Sequence, residues 1–183
     1  MSQPTTEIVP WTADDLISRL DEVLTVYGLA MNYPAELVEA RRGFITAHAR
    51  RDGFRAMAAL DEAGTLLGFT YGYLSHSGQW WHDQVRSAMR RSERRYWLAE
   101  CYELVELHVR PPAQGRGLGA VLLRGLLGGA PGTTVLLSTP EVPAETSRAW
   151  RLYRRFGFVD VVRHLRFPGD DRPFAILGRA LPL

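Results

Sequence analysis

The chain has 183 residues, 46% of them hydrophobic and 23% charged, which suits one globular domain with its own core and leaves little room for two. A net charge of +2 excludes the strongly basic surface on which nucleic-acid binders rely, and no apolar run reaches the roughly 18 residues of a membrane span. Cys101 is the only cysteine, which excludes an intrachain disulfide and a cysteine-built metal site and predicts a small buried filler.

The start, Met1 to Thr6, is polar and lacks the basic flank and apolar stretch of a secretory leader, so a cytoplasmic protein is expected. Ile8–Trp11 reads as an edge strand. Thr12 and Asp14 offer N-cap chemistry for a helix to about Tyr27, with Leu16, Leu20 and Val23 or Leu24 on one face. Pro34 suits the first turn of a second helix that reaches about Arg50. Phe54–Leu60 and Leu66–Leu74 read as a hairpin across Asp61-Glu62-Ala63-Gly64.

Residues 75–100 carry Trp81, Val85 and Ala88/Met89 at helical spacing, which predicts a helical insertion at about 76–98. Arg86, Arg90 and Arg94 lie four apart on another face, as a solvated stripe or an attractor of acidic groups. Tyr102–Val109 is a strong strand, ended by Pro111-Pro112. A glycine-rich loop then opens an apolar helix that closes at Gly128-Gly129. Thr134–Ser138 is a strand, Ala144–Arg155 a helix, and Phe158–Arg166 with Phe174–Leu181 a final hairpin. With no repeats and no linker, the expectation is one mixed α/β domain over 1–183.

The loop Gln114-Gly115-Arg116-Gly117-Leu118-Gly119 sits between a strand end and a helix start. Glycines allow a tight turn, and the free N–H groups of a helix start attract phosphate oxygens. The glycine spacing is not that of the dinucleotide fingerprint, and the region about 20 residues on holds Leu136-Leu137-Ser138 where that fold expects an acid. A P-loop needs a lysine, and the chain has none.

The run Leu107-His108-Val109-Arg110-Pro111-Pro112-Ala113 and the loop after it resemble the GNAT N-acetyltransferase pattern of apolar strand, proline and Q/R-x-x-G-x-G/A. A second run, Thr146 to Phe158, resembles the family's N-x-x-A-x-x-L-Y-x-x-x-G-F, with Thr146 where asparagine is common. The resemblance implies a GNAT fold: a central mixed, mostly antiparallel sheet with a splayed central strand pair and about four flanking helices. It implies acetyl-CoA as co-substrate, its pantetheine arm along Leu107, His108 and Val109. The pyrophosphate would lie on the amides of Gln114, Gly115, Arg116, Gly117, Leu118 and Gly119, with a further contact from Thr146. Tyr153 takes the family's role of protonating the departing thiolate. A tyrosine of pKa ~10 can do so.

An amine acceptor must lose a proton before it attacks a thioester. Glu103, Glu106 and His108 lie on the strand before the loop, and alternation puts Glu106 and His108 on one face and Glu103 on the other. In the family the base often comes from this strand. Glu106 is the first candidate, Glu103 the second and His108 the third, with a water-relayed proton as the alternative. The acceptor side, by the same resemblance, is lined by residues 27–36 and 75–100. There Tyr33, Trp80 and Trp81 are the candidate contacts, joined by Tyr27, His82 and Trp97, for an aromatic or cationic amine.

The function expected is therefore acetyl transfer to a primary amine of a small molecule or peptide, with no metal, nucleic acid or membrane partner. Because all 22 basic residues are arginine, the enzyme could not acetylate its own side-chain amines. Two other readings are an acyl-CoA-binding sensor without catalysis and a transferase of longer acyl groups. A homodimer through the tryptophans or the final hairpin is open.

Overall fold

The computed structural model describes residues 5–183; Met1 to Pro4, part of the stretch read as leaderless, lie outside the described residues. In chain order it forms β1 (Glu7–Trp11), α1 (Ala13–Ser18), α2 (Leu20–Met31), α3 (Ala35–His48), β2 (Arg55–Leu60), β3 (Leu66–Ser75), α4 (Trp80–Ala88) and α5 (Arg91–Trp97). Then come β4 (Cys101–Val109), α6 (Leu118–Leu127), β5 (Thr134–Pro140), α7 (Arg148–Arg155), β6 (Val159–Leu165) and β7 (Phe174–Ala180). This is the mixed, mostly antiparallel α/β chain expected, though with seven α helices among the described residues where about four were expected. It divides into two compact units, one from the residues up to Tyr73 with Val105–Ala130, the other from Leu74–Leu104 with Pro131–Leu183.

In the first unit β1 and β3 flank β2 in antiparallel ladders. Strand β2 is rich in alanine, a poor strand former. The register explains it: Ala58 faces Phe69 and Ala56 faces Tyr71, small against large. The core gathers Leu16, Val23, Val26 and Ile45 from the helices against Phe69 and Tyr71. Burying each such side chain contributes about 1.5–3 kcal/mol. Helix α6 buries Leu122, Leu123, Leu126 and Leu127. Its Gly125 lies so close to Met57 that a Cβ there would come within 2.9 Å of the methionine methyl.

The first helix predicted is two. Thr12 caps α1 in a capping box with Asp15, and the chain breaks at Arg19, whose guanidinium bonds Glu22 and the Gly64 carbonyl. Helix α3 starts after Pro34, which is its N-cap.

In the second unit β4 pairs with β5 in parallel at Cys101–Glu103 only, the one parallel ladder among those described. Strand β7 pairs antiparallel with both β5 and β6. Val85, Met89, Cys101, Leu136, Phe167 and Ile176 form the core, with Trp97 against it. Burial pushes the Cys101 thiol far up, as an inert filler requires. The predicted insertion is two short helices, α4 and α5. Met89 turns to extended backbone to bury its side chain, and Glu93 accepts the Arg90 amide to start α5. Arg86 and Arg90/Arg94 thus fall on separate helices, and the continuous stripe does not form.

Gly132, before β5, has φ +97°, and a Cβ there would sit 2.5 Å from the Glu100 carbonyl oxygen. Gly132→Ala is expected to cost at least about 2 kcal/mol, from the left-handed backbone and this collision together. A urea midpoint equal to the parent's would show that the loop simply moves.

Candidate functional site

Each unit carries one of the two motifs. In the first unit, Pro111–Ala113 form a single 3-10 turn that lifts the chain off the end of β4. The Gln114 side chain donates back to the Val109 carbonyl at 2.9 Å, tying the loop to the strand. Gly117, with φ +81°, is the N-cap of α6 and has no side chain to cap it. A Cβ at Gly117 would meet nothing within 4 Å, so the backbone lies open there. The Gln114 amide is used by the Pro111 carbonyl, whereas those of Gly115 to Gly119 meet no backbone acceptor among the described residues.

Helix α6 has no acid in its first turn, and Arg116 just before it is exposed and makes no ion pair among the described residues. A cation beside the positive end of a helix dipole is unfavourable unless an anion joins it. Five consecutive amides and one arginine therefore fit a pyrophosphate.

Beneath the loop, β4 presents Glu106 and His108 on the face that alternation predicts. Glu106 is 6% exposed. Its Oε1 accepts the Arg41 Nε–H at 2.9 Å and a second hydrogen from the same guanidinium. Its Oε2 lies 2.5 Å from His108 Nε2. Burial pulls the carboxyl upward, but Arg41 and the bond and charge of His108 outweigh it and hold the pKa at about 2. The Glu106 carbonyl accepts the Thr70 hydroxyl at 2.7 Å.

Around this group lie aromatic rings. Tyr27 meets His108 edge-on at 5.3 Å and Tyr33 at 5.7 Å. Arg41 stands over the rings of Tyr27 and Phe44, at 5.9 and 5.7 Å.

Sequence reasoning missed Arg41. It lies on α3 at the spacing of Ile45 and His48, both buried, and an arginine on a buried stripe calls for a carboxylate. His48 also belongs to this stripe, its Nδ1 3.0 Å from the Tyr71 hydroxyl. Burial, then Arg41 and Arg51, push its pKa down to about 4 from 6.5. The unfolded chain thus takes up this proton at a higher pH than the native one. The resulting stability is full above about 6.5 and is lost as pH falls toward 4, to a limit of about 3 kcal/mol. Denaturant unfolding of His48→Gln is expected to lose this slope between pH 6.5 and 4.5; an unchanged slope would place it elsewhere.

In the second unit Tyr153 is on α7, 8% exposed, its ring 5.7 Å from that of Phe158. The helix begins at Arg148 with Ser147 as N-cap, later than the Ala144 expected. Thr146 therefore does not share a helix face with Ala149 and Tyr153. It sits in the preceding turn, where its hydroxyl donates to the Pro143 carbonyl at 2.9 Å. Glu103 is buried at 4%, in register with Leu136 of β5.

Of the aromatic contacts expected there, Trp81 donates to the Ser138 hydroxyl at 3.2 Å and packs on the core. Trp80 is 54% exposed beside Phe167, His82 is buried against Ser75, and Trp97 lies under Gly178. Among the described residues, no group of three or more His, Cys, Asp or Glu could hold a metal ion, and no helix is long and apolar enough to cross a membrane.

The sequence profile of the Acetyltransferase (GNAT) family matches residues 20–158. A curated relative, the GCN5-like protein acetyltransferase Rv2170 of Mycobacterium tuberculosis, is 43% identical over 195 residues, covering 92% of this chain and 95% of the relative. Solved structures share the fold at lower identity. NAA60 of Arabidopsis thaliana in complex with acetyl-CoA superposes with a TM-score of 0.62 at 17% identity, covering 97% of this chain and 99% of that one. The PaiA N-acetyltransferase of Thermoplasma acidophilum in complex with coenzyme A gives 0.58 at 15% identity, covering 97% and 99%.

Proposed function

Because the chain belongs to the GNAT acetyltransferase family, we propose that it moves the acetyl group of acetyl-CoA to a primary amine of another protein, with a lysine side chain as the acceptor to test. The observation that carries this is the 43% identical relative, which spans nearly the whole chain and is named a protein acetyltransferase. Of the small-molecule and peptide amines expected, that name favours an amine on a protein.

In this reading residues 1–183 work as one cytoplasmic transferase domain. The Gly115–Gly119 amides and Arg116 hold the pyrophosphate, and the backbone of Leu107–Val109 pairs with the pantetheine arm. The Val109 carbonyl already accepts the Gln114 side-chain amide. Thr146 has its hydroxyl turned to Pro143, so its part is the weakest of the cofactor contacts. Tyr153 gives a proton to the thiolate as the thioester breaks. Tyr33 and Trp80 are the acceptor contacts we favour, whereas Trp81 is held by Ser138.

The acceptor class is tested by following thiol release from acetyl-CoA with lysine peptides beside polyamines, aminoglycosides, arylamines and free amino acids. Turnover confined to the lysine peptides is expected. Turnover confined to a small amine would return the acceptor to the small-molecule class. Acetyl-CoA binding with no turnover on any amine would favour a sensing module.

A further inference from the structure

Both oxygens of Glu106 are already engaged, one by Arg41 and the other by His108. A carboxyl held at a pKa of about 2 is about eight pH units below an alkylammonium, which makes it a poor direct acceptor of the substrate proton. The same bonds prepare His108. An ionised carboxylate can only accept, so the hydrogen in the 2.5 Å contact belongs to Nε2. The neutral ring then keeps its lone pair on Nδ1, which makes no hydrogen bond among the described residues.

Tyr27 and Phe69, at 5.3 and 5.7 Å, fix the plane of the ring. The side chain keeps 12% exposure, so it is not sealed off. Arg41, seated over Tyr27 and Phe44 as well, keeps Glu106 charged and turned toward the ring.

We infer that His108, through Nδ1, takes the proton from the acceptor ammonium, with Glu106 and Arg41 as the positioning residues. This deepens the transferase reading and rests on it. The balance is simple. The ammonium N–H bond breaks and its proton goes to Nδ1, giving a neutral amine and an imidazolium countered by the Glu106 carboxylate. The amine nitrogen forms the C–N bond as the C–S bond breaks, Tyr153 gives its proton to the thiolate and regains the one that the new amide nitrogen sheds, and His108 later returns its own proton to solvent. The charged and titratable groups of this cluster are Glu106 on its own strand, Arg41 and His48 from α3, Tyr27 from α2 and Tyr71 from β3, whose Phe69 also meets the ring.

His108→Gln is the first test, on a lysine peptide that the parent acetylates. The expected result is a loss of about 10²–10³-fold in kcat/KM, with the acid limb of its pH profile gone and acetyl-CoA affinity by calorimetry unchanged. In His108→Ala, imidazole added to the buffer is expected to restore part of the rate. Glu106→Gln keeps an acceptor for Nε2–H but loses the charge. It is expected to lower kcat, leave KM for acetyl-CoA as it was and retain the acid limb. Nitrogen NMR of the ring, assigned by its absence in His108→Gln, is expected to show the Nε2–H tautomer.

A His108→Gln enzyme as fast as the parent, or a proton on Nδ1 in the neutral ring, overturns the proposal and leaves the transferase reading intact. A parent that acetylates no amine removes both.

Discussion

Replacing Arg41 with methionine is expected to cost about 3 kcal/mol of stability near neutral pH, the lower end of the range for breaking a buried ion pair. The lower end applies because the Arg41 side chain keeps 29% exposure while Glu106 keeps 7%. Methionine preserves much of the stem against Tyr27 and Phe44, so the loss reports the charge rather than the packing. In the parent, Glu106 titrates near 2 in the folded state, below its ordinary value of 4.5. Its contribution is therefore present above about 4.5 and lost as pH falls toward 2.

In Arg41→Met only His108 still opposes burial, so the carboxyl rises from its parent value, and the deficit is largest above its ordinary pKa and shrinks on acidification. Urea unfolding of parent and variant at pH 7 and pH 4 checks both parts. A deficit under about 1 kcal/mol, or one that grows in acid, would contradict the pairing.

The second large effect is on chemistry. Tyr153→Phe is expected to lower kcat by about 10²-fold, as the loss of a positioned proton donor does, and to leave acetyl-CoA binding unchanged. The phenyl ring keeps the contact with Phe158, so α7 stays in place. Poorer thiolate leaving groups should suffer most. An acyl-CoA analogue with a more acidic thiol is expected to recover much of the rate in the variant, since it needs less help from an acid. Equal slowing with both substrates would make Tyr153 a packing residue.

Much of this molecule could be read from local residues. Prolines 111 and 112 had to end β4, glycines 115, 117 and 119 had to turn the loop, and the leucines of α6 repeat at helical spacing. Such signals act over a few residues and survive in any tertiary setting. The strand face shared by Glu106 and His108 followed from alternation alone.

What escaped depends on distant partners. Arg41 and Glu106 are 65 residues apart, and nothing on α3 names the carboxylate it meets. The break at Arg19 is set by Glu22 and the Gly64 carbonyl, and the break at Met89 by the demand of the core for that side chain. Helix α7 starts late because Ser147 caps it while Thr146 bonds backward to Pro143. Each of these is a choice between two locally reasonable conformations, decided by a contact absent from the window. The reactivity of β4 changes for the same reason: two acids and a histidine on one strand look like three candidate bases until Arg41 engages the first acid.

The most direct measurement follows a labelled acetyl group. The protein is mixed with acetyl-CoA carrying heavy carbon in the acetyl group and with a lysine peptide, and the products are read by mass spectrometry. The expected result is the label on the lysine side-chain nitrogen, with one free coenzyme A for each acetylated peptide. Intact acetyl-CoA beside unmodified peptide, or label released only as acetate, would contradict amine acetyl transfer.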